Sequence, residues 1–375
     1  MDDTYIANAM MVKVGRYFDE SYKELIAKNL FKVIDESNID YVDYIVVSTL
    51  FSDSILHQLD ISTILMQYIG LTPRPSIRVE SGESSGLSAL EVGYTLIKSG
   101  KARSVLVIGV EKTTEYPTTT INENYRRILD YEVEVIRNIT PPDYAAFIMK
   151  EYMKRYNASR DELTSWPIKM HDNAVKNPYA QLRFKVDKEK VLKSLTIAEP
   201  IKLLDTFPLG DGAAMVLLTS NDLLKNVASS TLRIVEVTSS TNLPFYMRDN
   251  ILEFYGLKKA YNALRRNVKF DINETVIEIH DSYSIYAYII LEELKLATKG
   301  KSYATIDELS NVNLSGGLKA RGHPFGATGL YQVTEIYKYL TSGLNGIKFN
   351  GKYGLVHSMS GPDYNSRLCL FEKVM

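Results

Sequence analysis

The sequence predicts an α/β fold built from two similar halves, each a βαβαβ-type unit. Three observations carry this. Apolar runs alternate with amphipathic stretches along most of the chain. A helix with one characteristic spacing of apolar positions occurs twice, and the strands that flank its two copies correspond.

The alternation begins in the first half. Residues 44–49 and 105–110 are continuous apolar runs of the kind a strand buried on both faces requires. Residues 21–37 predict a helix, with Leu25, Leu30, Phe31 and Ile34 on one side and Lys and Glu between them. The repeated helix carries Leu87, Leu90, Tyr94 and Ile97 in one copy and Leu330, Val333, Tyr337 and Leu340 in the other, spaced three, four and three in both. Each copy follows a Gly/Ser-rich turn and leads to an apolar strand, 104–110 or 353–359, and the run at 44–49 matches 276–280. The halves are therefore placed at 1–220 and 231–375, joined by a polar stretch over 221–233. Between about 113 and 200 the pattern gives way to Tyr, Asn, Pro and charged residues with helical pieces such as 143–156, so this part reads as a lid or contact insertion in the first half.

Composition narrows the function classes. The 375 residues are 45% apolar, enough for a sizeable core, and 44 Lys plus Arg nearly cancel 45 Asp plus Glu. A field of that balance attracts neither nucleic acid nor an anionic membrane, so a small molecule or a protein is the expected partner. The N-terminus lacks a basic-then-apolar leader and no apolar run reaches the length of a membrane span, which predicts a cytoplasmic protein. The single cysteine, Cys369, lies in an alternating strand-like run and reads as a core residue. Many Ile, Lys and Tyr (26 Tyr) against one Trp and one Cys hint at a thermophile. No Cys/His cluster suggests a bound metal, and neither a phosphate loop nor a dinucleotide fingerprint is present.

The segment Gly322-His323-Pro324-Phe325-Gly326-Ala327-Thr328-Gly329 is the strongest local signal. Its glycines allow tight turns around a His fixed by Pro324, and the Gly-Ala-Thr-Gly run opens a helix whose unpaired N–H groups suit an anionic oxygen. A His there can donate to a carbonyl oxygen that becomes negative in acyl transfer or an aldol-type reaction. The alternative is a Gly-rich loop holding a structural His.

Asn313-Leu314-Ser315-Gly316-Gly317-Leu318-Lys319-Ala320-Arg321-Gly322-His323-Pro324 resembles the C-terminal signature of the thiolase superfamily, in its archaeal and sterol-carrier-protein-type branch. Further segments agree in order. Val79-Glu80-Ser81-Gly82-Glu83-Ser84-Ser85-Gly86-Leu87 resembles the nucleophile turn, and Val107-Ile108-Gly109-Val110-Glu111-Lys112 the strand after it. Asn173-Ala174 and Asn177-Pro178-Tyr179-Ala180-Gln181 resemble the insertion motif, and residues 203–214 the run that closes the first half. Glu278-Ile279-His280-Asp281 resembles the second catalytic motif, and Val356-His357-Ser358-Met359-Ser360-Gly361 the third. The resemblance implies a thiolase fold, with the two halves in a five-layer αβαβα arrangement.

It also implies a chemistry and a set of residues. An ordinary member takes an acyl group from coenzyme A onto a Cys at a helix start, while His and backbone donors stabilise oxyanions. Here position 83, where that Cys is expected, is Glu83. A thiolate is strongly nucleophilic, whereas a carboxylate attacking a thioester would form a high-energy mixed anhydride. Ordinary acetyl transfer is therefore expected to be absent or very weak. His323 and His280 carry over as the two catalytic histidines; Ser358 and Ser360 depart from the usual His-Asn and Gly pattern. Tyr283 stands where the branch has Phe and is a candidate acid or base, although 26 tyrosines make coincidence an alternative. Ser315, Gly322, Gly326 and Gly361 are the expected substrate contacts.

Three functional readings follow. Glu83 acts as base or electrostatic group in carbon–carbon chemistry, aldol, retro-aldol or decarboxylation, on an acyl thioester. Alternatively the chain is a non-catalytic acyl-CoA-binding subunit of a thiolase/hydroxymethylglutaryl-CoA synthase-type assembly, or an acetyl-CoA acetyltransferase by an unrecognised route. No resident cofactor is implied, the coenzyme A thioester being substrate or ligand. The expected partners are acyl-CoA, a second copy pairing strands near residues 76–80, and a small OB-fold, zinc-ribbon protein.

Overall fold

In the computed structural model, which describes residues 3–39, 41–227 and 230–374, the first half runs β1 (Thr4–Met11), α1 (Tyr22–Asp35), β2 (Tyr44–Ser48), α2 (Ile61–Tyr68), β3 (Ser76–Val79), α3 (Ser85–Lys98) and β4 (Ser104–Glu111). The insertion supplies α4 (Thr118–Tyr125), α5 (Pro141–Tyr156), α6 (Ser165–Ala174), α7 (Lys188–Lys193) and a hairpin of β5 (Thr196–Ala198) and β6 (Ile201–Lys202). β7 (Gly212–Ser220) ends this half. The second half comprises β8 (Leu232–Thr241), α8 (Tyr255–Asn267), β9 (Thr275–Glu278), α9 (Ser284–Glu293), α10 (Thr328–Leu340), β10 (Tyr353–Ser360) and β11 (Asn365–Lys373).

The strands follow the order β3-β2-β4-β7-β1-β8-β11-β10-β9. Read outward from the β1–β8 junction, the two sides match: antiparallel pairs first, then a parallel pair, β2 with β4 on one side and β9 with β10 on the other. Even the end strand β3 has a counterpart, because Val312 makes a parallel bridge to Ile277. The duplication read from the helix spacing is thus a duplication of topology.

Side-chain alternation sorts the core into layers, since neighbouring residues of a strand face opposite ways. Ile45 and Val47 pack with α1 and α2; Val46, Val105 and Val107 pack with α3 and α10. Val276, Val356 and Cys369 join that same middle cluster from the second half, while Ile277, Leu355 and Leu368 face α8 and α9. The order helices, sheet, α3 and α10, sheet, helices gives the five layers expected. The two repeated helices meet at glycines: a Cβ on Gly86 would lie 2.9 Å from the backbone N of both Gly329 and Leu330. That contact brings the starts of α3 and α10 together.

One local detail differs from the sequence reading. Helix α1 is capped as its sequence suggests, with Ser21 and Glu24 forming a reciprocal capping box. Its buried face, however, is Leu25, Ile26, Leu30 and Val33, and Phe31 is 55% exposed, because a 3.6-residue period turns it to solvent. His57 sits at φ 54° in the loop before α2. The insertion covers the outer face of the second half: α5 packs on α9, and the Trp166 indole N–H reaches Asp281 Oδ2 at 2.9 Å. Among the described residues no helix is long and apolar enough to cross a membrane.

Candidate active site

Glu83 directly precedes Ser84, the N-cap of α3. Its backbone is led there by Gly82 at φ 65°, where a Cβ would come within 2.8 Å of Ser360 Cβ, so only glycine fits the turn against β10. The carboxylate is fully enclosed and meets groups from both halves. His323 Nε2 lies 3.0 Å from Oε1, the Tyr125 hydroxyl donates to Oε1 at 2.8 Å, and the Gly361 N–H donates to Oε2 at 2.9 Å. His280 Nε2 is 3.7 Å from Oε1, too long for a hydrogen bond, and neither ring nitrogen of His280 has a hydrogen-bond partner among the described residues.

Burial raises the Glu83 carboxyl, but its interactions with His280 and His323 outweigh this and hold it well below the usual carboxylate range. An ionised carboxylate only accepts, which fixes the His323 tautomer. Nε2 carries the hydrogen toward Glu83, and Nδ1 accepts from the Thr328 hydroxyl at 2.6 Å. Burial pulls His323 down to about 4, so its ring is neutral at pH 7. Phe207 packs edge-on against that ring, with centroids 4.6 Å apart.

The chemistry borders a cavity of about 580 Å3, whose lining includes Arg16, Arg126, Tyr125, Phe207 and Tyr283. Glu83, His280 and His323 lie behind that wall, and Tyr125 is the link, since one phenol both lines the cavity and binds Glu83. Tyr283 also lines the cavity and interacts with Tyr125. Burial, then the charge of Glu83, raises both phenols well above their ordinary value, so both are neutral donors. A polar depression of similar size, about 600 Å3, beside Asp161 and Lys188 contains none of these groups.

The sequence-derived candidates thus divide. Glu83, His280 and His323 converge as expected, Tyr283 borders the cavity, and Gly361 contributes its amide. Ser358 is buried in β10 with a hydroxyl that has no hydrogen-bond partner among the described residues. Gly322, Gly326 and Ser315 face protein: Gly322 lies against Val14, the Gly326 N–H donates to Glu111, and the Ser315 hydroxyl donates to Glu278. Ser84 and Ser85, beside Glu83, spend their hydroxyls on Asn365 and the Gly82 carbonyl. Tyr125 escaped the sequence reading, because nothing marks it among 26 tyrosines until α4 folds over the turn. So did the part played by Glu111. Its two oxygens accept from Thr49 Oγ1 and the N–H groups of Leu50, Phe51 and Gly326, which ties the loop after β2 to the histidine loop. Glu111→Gln places an NH2 group against two of these donors and is expected to cost about 2–4 kcal/mol, read by urea unfolding.

Comparison with known proteins agrees with this arrangement. Residues 4–222 match the family model described as thiolase, N-terminal domain, and residues 258–373 the one described as thiolase C-terminal domain-like. An acetyl-CoA acetyltransferase of Methanocaldococcus jannaschii is 33% identical over 352 residues, covering 90% of this chain and 89% of that protein. One from Methanothermobacter thermautotrophicus is 30% identical over the full length of both. Rabbit (Oryctolagus cuniculus) sterol carrier protein 2 is 28% identical over 350 residues, 87% of this chain and 63% of that protein. Among solved structures, an Ltp2-ChsH2(DUF35) aldolase superposes with TM-score 0.83 at 16% identity, over 99% of this chain and 98% of that one. Human mitochondrial 3-ketoacyl-CoA thiolase does so with TM-score 0.77 at 15% identity, over 100% and 99%. These likenesses show the thiolase fold, and with the two family models spanning both halves the chain belongs to the thiolase family.

Proposed function

We propose that this protein binds an acyl-CoA thioester and makes or breaks a carbon–carbon bond beside the thioester by aldol chemistry, without an acyl-enzyme. In this reading Glu83 replaces the family's nucleophilic Cys. The observation that carries it is the Tyr125 hydroxyl, which lines the cavity and donates to Glu83 Oε1 at 2.8 Å.

In the cleavage direction the β-hydroxyl of a β-hydroxyacyl thioester gives its proton to the Tyr125 oxygen as Tyr125 passes its own to Glu83. The Cα–Cβ bond breaks, the Cβ fragment leaves as an aldehyde or ketone, and the electron pair moves to Cα and the thioester oxygen. In this proposal the imidazoles of His280 and His323, behind the cavity wall, turn a ring N–H to that developing charge once Glu83 gives up its hold on His323. The proton then returns through Tyr125 to Cα, leaving a shortened acyl thioester. The depressed carboxyl makes Glu83 a weak base, so in this reading the proton rests on it only in passing. The aldolase neighbour, whose name joins Ltp2 to a ChsH2(DUF35) protein, supports the reaction class and a small partner as part of the proposal. A second copy pairing along β3, the end strand with Ile77 43% exposed, belongs to it too.

The test is incubation of the protein with β-hydroxyacyl-CoA esters, following the shortened acyl-CoA and the carbonyl product. Tyr125→Phe is expected to lower kcat by roughly 10²–10⁴-fold with little change in KM. If wild type cleaves none of these esters, alone or with a small partner, the reading fails. The subunit reading then takes its place. It is favoured by one observation: the Glu83 carboxylate already occupies the His323 and Gly361 donors that a substrate oxygen would need.

A further inference from the structure

The geometry points to a divalent metal site: Glu83, His280 and His323 form a buried two-histidine, one-carboxylate set that takes a zinc-class cation. One ligand atom from each lies within 4.8 Å of the others. Glu83 Oε1 is 3.0 Å from His323 Nε2 and 3.7 Å from His280 Nε2. Bonds of 2.0–2.1 Å in a tetrahedral shell place neighbouring ligand atoms roughly 3.3 Å apart, between those two separations. Two imidazoles and one carboxylate suit zinc and its first-row neighbours.

An independent observation is the state of His280. Its side chain is 0% exposed and both ring nitrogens lack a hydrogen-bond partner among the described residues, although Nε2 faces Glu83. A buried imidazole without partners costs free energy, on the order of 1–3 kcal/mol for each unmet polar group. A cation between Nε2 and Oε1 gives Nε2 a partner, while Nδ1 keeps none among the described residues.

The surroundings supply outer support to two of the three ligands, His323 and Glu83. The contact of His323 Nδ1 with Thr328 Oγ1 at 2.6 Å works in either direction. When Nδ1 carries the hydrogen and donates to the hydroxyl, the Nε2 lone pair is free for the metal. Gly361 N–H holds Glu83 Oε2, and Oε1, which accepts from the Tyr125 hydroxyl, is the oxygen turned to both imidazoles. Three protein ligands leave one position open, and Tyr125 and Phe207 stand between the set and the cavity. A cation there would take up charge on a thioester oxygen in place of the ring N–H groups. Binding itself is independent of the reaction proposed above.

The test is a titration of chelator-treated, desalted protein with cobalt(II) chloride, followed by visible absorption, with zinc chloride as competitor and metal content measured per chain. One Co2+ per chain with a visible band that zinc abolishes is expected. Glu83→Cys should add a near-ultraviolet thiolate-to-cobalt band, which reports directly that residue 83 is a ligand. His280→Asn should abolish binding, and Thr328→Val should weaken it by roughly 10–100-fold. No band in wild type, or a band unchanged in Glu83→Cys and His280→Asn, overturns the site. The wild-type titration decides even where a variant fails to fold. Absent cobalt binding with ester cleavage intact removes the metal alone and leaves the aldol reading standing.

Discussion

Glu83→Cys is expected to convert the protein into an acetoacetyl-CoA-cleaving enzyme, with a rate above wild type by on the order of 100-fold or more. The reasoning begins with the position. Residue 83 stands at the start of α3, and its side chain meets His323, His280 and the Gly361 amide. A thiol placed there lies at a helix start beside two imidazoles, the conditions that favour a thiolate. It also releases the His323 and Gly361 donors, which the carboxylate now holds, to bind an oxyanion. Loss of an enzymic nucleophile costs up to about 10⁶ in kcat, so a nucleophile restored without other adjustment is expected to recover only part of that range. The measurement is CoA-dependent loss of acetoacetyl-CoA by wild type and variant side by side. Cleavage by wild type itself would show that Glu83 does not block acyl transfer, and silence from a folded variant would show that the pocket is not arranged for it.

The largest effect on stability is expected from Arg321→Met. Arg321 is wholly buried, and its Nε donates to Glu335 Oε1 at 2.9 Å, its Nη1 to the Gly322 carbonyl at 2.6 Å, while the guanidinium lies 5.0 Å above the Tyr331 ring. Glu278 is buried nearby and holds Ser315. Two enclosed carboxylates share one cation. Burial and the charge of Glu335 push Glu278 well up, and burial pushes Glu335 to about 7. Removing the guanidinium strands Glu335 and is expected to cost about 3–5 kcal/mol. The pH dependence has a definite sign. Without Arg321 the folded Glu335 keeps its proton to still higher pH, whereas the unfolded one ionises near 4.5. Between those values the folded state binds the extra proton, so the variant's stability falls as pH rises. Its melting temperature should trail wild type by more at pH 8 than at pH 5; an equal gap at both would show that Glu335 does not depend on Arg321 for its charge.

Helix α1, the strands at β2 and β4 and the matched helices α3 and α10 were legible in the sequence because each rests on a local period. Phe31 was misplaced because the 3.6-residue period, carried from Leu25 through Ile26, Leu30 and Val33, turns it away from the buried face. The ordered motifs likewise identified Glu83 and His280, each between a strand and a helix, and His323, in the turn that leads into α10.

The duplication, the family and the identity of the residues at the three turns are therefore written in the chain itself. Chain-local patterns are enough for these, since apolar spacing dictates the element and turn residues dictate its ends. Only the tertiary structure decided what those residues meet. Tyr125 comes from the insertion, Gly361 from the end of β10 and His280 from beyond β9, and their distances to Glu83 depend on two halves packing through the Gly86 and Gly329 contact. Whether Glu83 faces substrate, proton relay or cation is set by contacts between groups up to 278 positions apart, and no local period encodes these.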